Sequence, residues 1–318
     1  MTSFFIIISH QKKRNHMKKL LLPVILTCTL FASEENFFEL GAGYINSKDN
    51  FSTNSNKKIT SFSSSESENK AIPNINTYYG KNLSENIKAY FQLEQTDLKI
   101  GTKLNTTIGD FYFGVKSKLL EEEWENPFLL NQDRKETDIN ENGLFLAYEF
   151  NTSDYSSAII KYEYSKREYD IDNTIEDLKR NGNRNLFSLN HALSLNILDE
   201  ETLLLTNMIF ENYSADGKAS SYDSLALELG FSKDLNSKTN LTVLTNISKK
   251  QYDKTNPIFN EKIESNNFKI LTKIEYKEPF NFTDTYINFT IGQESLNANN
   301  EFYDAKSNFA LFGIGYKF

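Results

Sequence analysis

The stretch SNFALFGIGYKF, residues 307–318, decides the fold of this chain. Apolar or aromatic side chains occupy every second position, at Phe312, Ile314, Tyr316 and Phe318, and the positions between them are mostly small or polar. A period of two residues predicts a β-strand with one apolar face and one wet face.

The composition is typical of a chain built from many such strands. It contains 25 Phe and 17 Tyr, yet its mean hydropathy is −0.53, because the apolar residues are spread among Asn, Ser, Lys and Glu. The formal net charge is −8, which gives the chain no bulk attraction to nucleic acid.

The N-terminal region predicts a secretion signal. From Met17 the sequence reads MKKLLLPVILTCTLFAS, with two lysines, an apolar run too short to span a membrane, and small residues at a cleavage position. We therefore assign residues 1–33 to a signal peptide, with Met17 as the expected start, and residues 34–318 to one barrel domain. The single Cys, Cys28, falls in the signal, so we expect no disulfide, no cysteine-bound metal and no cofactor.

Alternation continues along the chain after the signal. In residues 86–95, NIKAYFQLEQ, Ile87, Phe91 and Leu93 oppose Lys88 and Glu94. A soluble β-sandwich would also alternate, but strands of 10 to 12 residues exceed the usual soluble length of ~5–6. The pattern predicts strands at roughly 37–46, 73–82, 86–96, 107–118, 142–150, 155–169, 184–197, 202–213, 222–234, 239–251, 266–277, 284–295 and 307–318.

The connections between these strands alternate between short turns and long polar loops. This is how outer-membrane barrels are built, with an even number of strands and both ends on the side of the short turns. An even count needs one more strand between 118 and 142, where WENPFLL (124–130) is the candidate, although Pro127 suits a strand poorly. The same segment could instead be a loop folded into the lumen. We predict 14 strands, with 12 as the fallback.

The signal, the alternating connections and the last strand together resemble Gram-negative outer-membrane β-barrel proteins of the small monomeric porin kind. The resemblance implies a transmembrane antiparallel up-and-down β-barrel in the cell outer membrane, in contact with lipid and lipopolysaccharide. It also implies that the barrel assembly machinery reads Phe312, Ile314, Tyr316 and Phe318.

Charged side chains fall on the face that alternation assigns to the lumen. We predict a narrow, weakly selective channel for ions and small hydrophilic solutes, because both signs are present. The alternative is a barrel whose charges pair across strands and fill it, acting as an adhesin or a structural surface protein. The pore-lining candidates are Lys88, Glu94, Lys116, Glu149, Lys161, Glu163, Glu228, Lys269, Lys273, Glu275 and Glu294.

Catalysis is not expected. His191 is the one His after the signal, and Ser188 and Ser194 both differ from it by three positions, so they point to the opposite face of a strand. With one His, a metal site with two His ligands is excluded.

Overall fold

The chain forms a closed antiparallel β-barrel in the computed structural model, which describes residues 36–197 and 200–318. Each strand pairs with the next along the chain, and the last pairs with the first. The predicted fold class is therefore confirmed. The strands within the described part are β1 Phe37–Lys48, β2 Glu68–Asn82, β3 Ile87–Glu94, β4 Asp97–Thr106, β5 Gly109–Trp124, β6 Glu136–Ser153, β7 Ser156–Tyr169, β8 Gly182–Ile197, β9 Glu200–Ala215, β10 Tyr222–Asn236, β11 Thr239–Asn256, β12 Glu261–Lys277, β13 Thr285–Ala298 and β14 Ala305–Lys317.

The count of 14 is confirmed, but the fourteenth strand is not the expected one. It is β4, which follows β3 after a two-residue turn at Gln95 and Thr96. Gln95 takes a left-handed conformation with φ of 55°. The turn contains no Gly, Asn or Pro, so nothing in the sequence marks a break at this point.

The expected strand at 124–130 is wrong, and so is the fallback of 12 strands. Trp124 ends β5, and residues 125–135 form a loop, as the alternative for this segment expected, but the loop lies over the mouth of the barrel. Pro127 is fully buried in that loop. Proline in a central strand would remove a ladder hydrogen bond, which is the physical reason that the strand does not continue.

The two ends of the barrel differ. At one end the strands are joined by short turns, and β1 begins and β14 ends there. At the other end, loops 49–67, 125–135 and 170–181 are longer than any connection at the first end, loops 216–221 and 299–304 have six residues each, and the turns 95–96 and 257–260 are short. In the described part of the chain, three short 3₁₀ segments lie in connections, and no helix there is long and apolar enough to span a membrane.

The outer surface of the barrel is apolar. On β14 the outward side chains Phe312, Ile314 and Tyr316 are about half exposed, at 47%, 55% and 50%. Each of the remaining strands exposes at least one large aliphatic or aromatic residue on its outward face, with Leu144, Leu225 and Ile247 as examples. An exterior of this kind is stable in lipid and not in water.

The lumen is not empty at mid-barrel. Inward apolar side chains from seven strands form one cluster, the apolar layer, which consists of Ile45, Ile72, Ala192, Leu203, Leu205, Leu244, Leu271, Phe309 and Leu311. Phe309 lies flat over Gly292 of the neighbouring strand, where a Cβ would meet its ring at 2.3 Å. Glycine at that position therefore makes room for the layer.

The two faces of β11 give a test of this arrangement. Ile247 faces outward at the middle of the strand, and the adjacent Ser248 faces the lumen. We expect Ile247→Arg to cost about 2–4 kcal/mol of the free energy of unfolding, because the charge is placed in the hydrocarbon region. Ser248→Arg should cost clearly less, since its side chain reaches polar surroundings. Reversible urea unfolding from lipid vesicles measures both, and equal losses would show that the faces are assigned wrongly.

Candidate functional site

The loops at the long-loop end form an aromatic cap over the barrel. Its core consists of Phe51, Phe62, Phe128, Phe259, Phe302 and Tyr303, supported by Ile59, Leu178, Ala219 and Ile263. Phe302 is fully buried, with ring centroids of Phe128 and Phe51 at 5.3 and 5.7 Å. Since these rings come from four different connections, the loops are packed together rather than solvated separately.

A buried arginine ties two of these loops together. Arg134 has no exposed surface and donates from Nη1 to the carbonyl oxygens of Asn50 at 2.7 Å and Pro127 at 3.2 Å. Its Nη2 donates to Ser55 Oγ at 3.1 Å, and its guanidinium lies 4.6 Å from the Trp124 ring. Burial lowers the pKa of Arg134 to about 10, so it still carries its charge at neutral pH.

Asp49 begins the first long loop, and its pKa is raised, whereas that of Arg134 is lowered. Its Oδ1 accepts the N–H of Phe51 at 2.9 Å. Burial and the nearby Glu123 raise its pKa to about 6, although Arg134 and the backbone hydrogen bonds partly oppose this. The folded cap therefore favours the protonated form of this carboxyl.

A chamber of about 520 Å³ lies beneath the cap. Phe51, Phe128 and Tyr303 of the cap form part of its wall. On the other side the chamber is bounded by the apolar layer. On β11, β12 and β14, the chamber residues Asn246, Lys269 and Ser307 lie two positions on the long-loop side of layer residues Leu244, Leu271 and Phe309.

One wall of the lumen carries a continuous ion-pair network. Each member lies within 4.0 Å of at least one partner of opposite charge, and the network runs from β4 through β9 and into loop 170–181. Its members are Lys99, Lys116, Lys118, Glu121, Glu123, Glu141, Lys161, Glu163, Arg167, Asp172, Arg180, Arg184 and Glu211.

Glu141 is the central carboxylate of this network. It has no exposed surface and lies 3.4 Å from Arg184, 3.6 Å from Arg167 and 3.9 Å from Lys116. Ser165 Oγ donates to Glu141 Oε1 at 2.7 Å. A buried carboxylate survives without water only when it is paired in this way.

Glu163 is the second centre, deeper in the barrel. Three lysines reach its carboxylate, with nitrogen–oxygen distances of 2.7 Å for Lys116, 3.1 Å for Lys161 and 3.5 Å for Lys99. Glu163, Lys116 and Lys161 are all buried. The local excess of positive charge is balanced in part through Lys116, which also faces Glu141.

The network ends at the cap through Arg180. This guanidinium lies 3.1 Å from Glu123, 3.2 Å from Asp172 and 4.2 Å from the Tyr169 ring centroid. Burial alone would raise the pKa of Asp172, but Arg180 and the hydrogen bond from Thr174 bring it below its usual value. The cap and the lumen charges are thus one connected structure.

The facing wall of the chamber is also charged and rich in hydroxyl groups. Lys250 Nζ lies 4.2 Å from the ring centroid of Tyr222, and Tyr222 donates its hydroxyl to Glu211 at 2.6 Å. Asn267 donates to Glu294 at 2.9 Å. Eight acidic and eight basic residues are among the described residues that line the chamber.

The pore-lining candidates are divided among three places. Lys116, Lys161 and Glu163 belong to the ion-pair network. Glu228, Lys269 and Glu294 line the chamber. The remaining candidates lie outside the chamber lining, on β3, β6 and β12: Lys88, Glu94, Glu149, Lys273 and Glu275. Among them, Glu149 accepts a hydrogen bond from Tyr112 at 2.7 Å, and Lys273 pairs with Glu275 at 3.2 Å. Their part in conduction stays a prediction.

Sequence reasoning missed several charged members of the ion-pair network. Glu141 lies one residue before the predicted start of its strand, so continuing the alternation of β6 backwards would have found it. Arg184 was inside a predicted strand but was not selected. Asp172 and Arg180 lie in a loop, where no periodicity assigns a direction.

The candidate catalytic residues are not brought together. His191 lies on the outward face of β8 with Phe187 and Leu189, and Ser188 is buried in the lumen. Among the described residues, no group of three or more His, Cys, Asp or Glu side chains could hold a metal ion.

Comparison with known proteins finds one matching family and several solved structures of similar fold. Residues 35–317 match the model of a family described as a protein of unknown function, DUF2860. No curated protein matches the chain.

Several solved structures share the architecture. A Pseudomonas aeruginosa FadL homologue is 8% identical, with a TM-score of 0.50, over 89% of this chain and 90% of that one. OmpT, an outer membrane protein of Vibrio cholerae, is 10% identical, with a TM-score of 0.44, over 91% and 99%. An anion-selective porin from Comamonas acidovorans is 9% identical, with a TM-score of 0.42, over 89% and 98%. At these identities the likeness concerns the fold, which is that of outer-membrane β-barrel proteins. The closed antiparallel barrel with its apolar exterior is itself the architecture of outer-membrane barrels, and it places the chain in the outer membrane.

The central carboxylate can be tested against a matched surface pair. Glu141→Gln leaves Arg184, Arg167 and Lys116 facing a neutral group, and we expect a loss of about 3–5 kcal/mol in the free energy of unfolding. Glu168→Gln removes a shorter, 2.7 Å, but exposed pair with Lys166 and should change little. Urea titration of both variants decides the point, and a small effect of Glu141→Gln would mean that the network does not stabilise the barrel.

The raised pKa of Asp49 predicts a pH dependence of the cap. Its contribution to stability is fully present below about pH 4 and is lost as the pH rises through about 6, so the cap should be more stable at pH 5 than at pH 7.5 by about 1–3 kcal/mol. Asp49→Asn keeps the acceptor for the Phe51 N–H and should remove this difference. The emission of Trp124, the one Trp of the chain, reports cap unfolding at each pH. An unchanged pH dependence in the variant would assign it to another group.

Proposed function

We propose that this chain, which belongs to the DUF2860 family, forms a narrow, gated outer-membrane channel for ions and small hydrophilic solutes. The observation that carries the proposal is the chamber of about 520 Å³ in the lumen, bounded by the aromatic cap and the apolar layer. Its volume falls in the range of ~300–1,000 Å³ that holds small ligands in proteins.

The charges of the chamber support weak selectivity. Acidic and basic residues line it in equal numbers, so the chamber has no formal net charge that would favour ions of one sign. The hydroxyl and amide groups of Ser224, Ser248, Asn246 and Asn267 supply neutral hydrogen-bonding partners. A small polar solute of either charge would find partners there.

The arrangement favours a gated channel over an open one. Inward apolar side chains repel water from a narrow passage, and such a passage conducts only when it widens. The cap closes the other side of the chamber with packed rings. Passage therefore requires movement of the layer and of at least one loop.

A second candidate is a surface barrel that conducts nothing. It is favoured by the filling of the lumen, because the ion-pair network and the apolar layer occupy space that an open pore would leave to water. In that case the packed loops would be the functional surface, as an adhesin or a structural protein.

Conductance separates the two candidates. Leu244→Ser with Leu271→Ser makes the apolar layer polar, and we expect single-channel conductance in planar bilayers to rise several-fold over the small wild-type value. The matched control is Leu229→Ser with Ile270→Ser, on the outward faces of β10 and β12, which should leave conductance unchanged. No conductance from either the wild type or the layer variant, with both correctly folded, would contradict the channel and favour the surface barrel.

A further inference from the structure

The barrel wall is shorter at β3 and β4 than at the neighbouring strands. β3 has 8 residues and β4 has 10, whereas the flanking strands β2 and β5 have 15 and 16. Pairing of β2 with β3 stops at Asn76 and Glu94, and pairing of β4 with β5 starts at Asp97 and Lys118. Above the β3–β4 turn, residues 68–75 and 119–124 therefore face each other with no strand between them in the described structure.

The sequence of β2 suits an open edge. Pro73 lies in the part of β2 that is paired only with β1. Proline has no N–H to donate, and in sheets it is confined to edges and irregular positions. The gap is thus built into the strand and is not a fraying of its end.

The gap reaches the apolar exterior. Pro73 is in register with Ala42 of β1, which pairs with the exposed Phe312 of β14. Ile75 on the same edge is 37% exposed. Across the gap, Leu120 is 54% exposed and has a left-handed φ of 61° at the irregularity of β5. Lipid therefore meets apolar side chains on both sides.

Residues 51–55 of the first long loop fill the gap, and we call them the door segment. Ser52 forms an isolated bridge with Glu123 of β5. Lys70 of β2 donates to the Thr53 carbonyl at 3.4 Å and to the Asn54 side chain. The Trp124 indole N–H donates to Ser55 Oγ at 3.0 Å.

The door segment also forms part of the chamber wall, through Phe51, Ser52 and Asn54. It therefore separates the chamber from lipid. One isolated bridge holds its backbone to β5, whereas β2 and β3 share a ladder of seven paired residues. Phe51 packs in the aromatic cap, but the buried side chains Thr53, Asn54 and Ser55 are small and polar, so this part of the door segment gains little from apolar packing.

We propose that the door segment opens sideways and admits a single-chain amphiphile from the outer leaflet into the chamber. The apolar rim of the gap suits an alkyl chain, and the chamber lining includes the apolar side chains Ile45, Leu186, Ile209 and Leu296. The charges and hydroxyl groups of the chamber suit a small polar head of no net charge, because its acidic and basic residues are equal in number. This lateral route does not depend on conduction of ions along the barrel axis.

Trp124 supplies the probe for the test, because it is the one Trp of the chain, is 2% exposed and touches the door segment. The protein is reconstituted in phospholipid vesicles, and lysophosphatidylcholine with a dibrominated acyl chain is added. We expect saturable quenching of Trp124 by this amphiphile. The same bromines on a two-chain phospholipid should give only weak, non-saturable quenching.

A disulfide staple then closes the door. Ser52→Cys with Glu123→Cys joins the bridge partners, with Cys28 replaced by Ser, and oxidation should lower the saturable quenching at least about fivefold. Reduction should restore it. The control staple, Lys58→Cys with Asp133→Cys, joins the partners of another isolated bridge in the cap and should leave quenching intact.

A second variant, which contains no introduced cysteine, tests the hydrogen bonds between Lys70 and the door segment. Lys70→Ala removes the donor that holds Thr53 and Asn54, and it should speed the onset of quenching several-fold. Saturable quenching that persists in the oxidised Ser52–Glu123 staple, or its absence from the wild type and from Lys70→Ala alike, would overturn the proposal. Neither result depends on conductance, so these experiments test the lateral route independently of the axial channel.

Discussion

Closure of the sheet is the constraint on which the rest of this structure depends. In lipid no water is available to pair backbone N–H and C=O groups, so a sheet must have no free edge. β1 and β14 meet this condition through an unbroken register from Phe37 opposite Lys317 to Lys48 opposite Lys306. Alternation then follows on every strand, because one face meets lipid and the other the lumen.

A closed barrel of this size creates a second problem inside. Fourteen strands enclose more space than strand side chains alone fill, since eight already give a filled interior. The chain fills part of the lumen with an apolar layer and closes its mouth with loops that share an aromatic core. Charges that remain inside are stable because they are paired, as around Glu141 and Glu163. The chamber is the space left between these two kinds of packing.

At the short strands β3 and β4, the edges of the neighbouring strands are covered in a different way. There a loop, and not a strand, covers the open edges of β2 and β5. The door segment is attached by one bridge, a few side-chain hydrogen bonds and the packing of Phe51, so it opens at a lower free energy than a strand ladder, because local opening scales with the contacts that must be broken. The same loop contributes Phe51 to the cap, so movement at the wall and movement at the mouth are mechanically coupled.

The sequence by itself determined the barrel, an even number of strands and the alternation of side chains between the two faces of a strand. The alternation of faces follows from the two-residue period of a β-strand, and the even number of strands follows from closure of the barrel. Neither rule needs coordinates. It did not reveal β4, because the turn at Gln95 and Thr96 carries none of the residues that mark a hairpin. The cap, the chamber and the partners of Arg134 and Glu141 were decided only by the tertiary structure. Arg134 meets Asn50 across 84 residues of chain, and Asn50 meets Phe302 across 252. Loops have no periodicity, so nothing in the sequence says which of them will pack together once closure of the barrel brings their ends to the same rim.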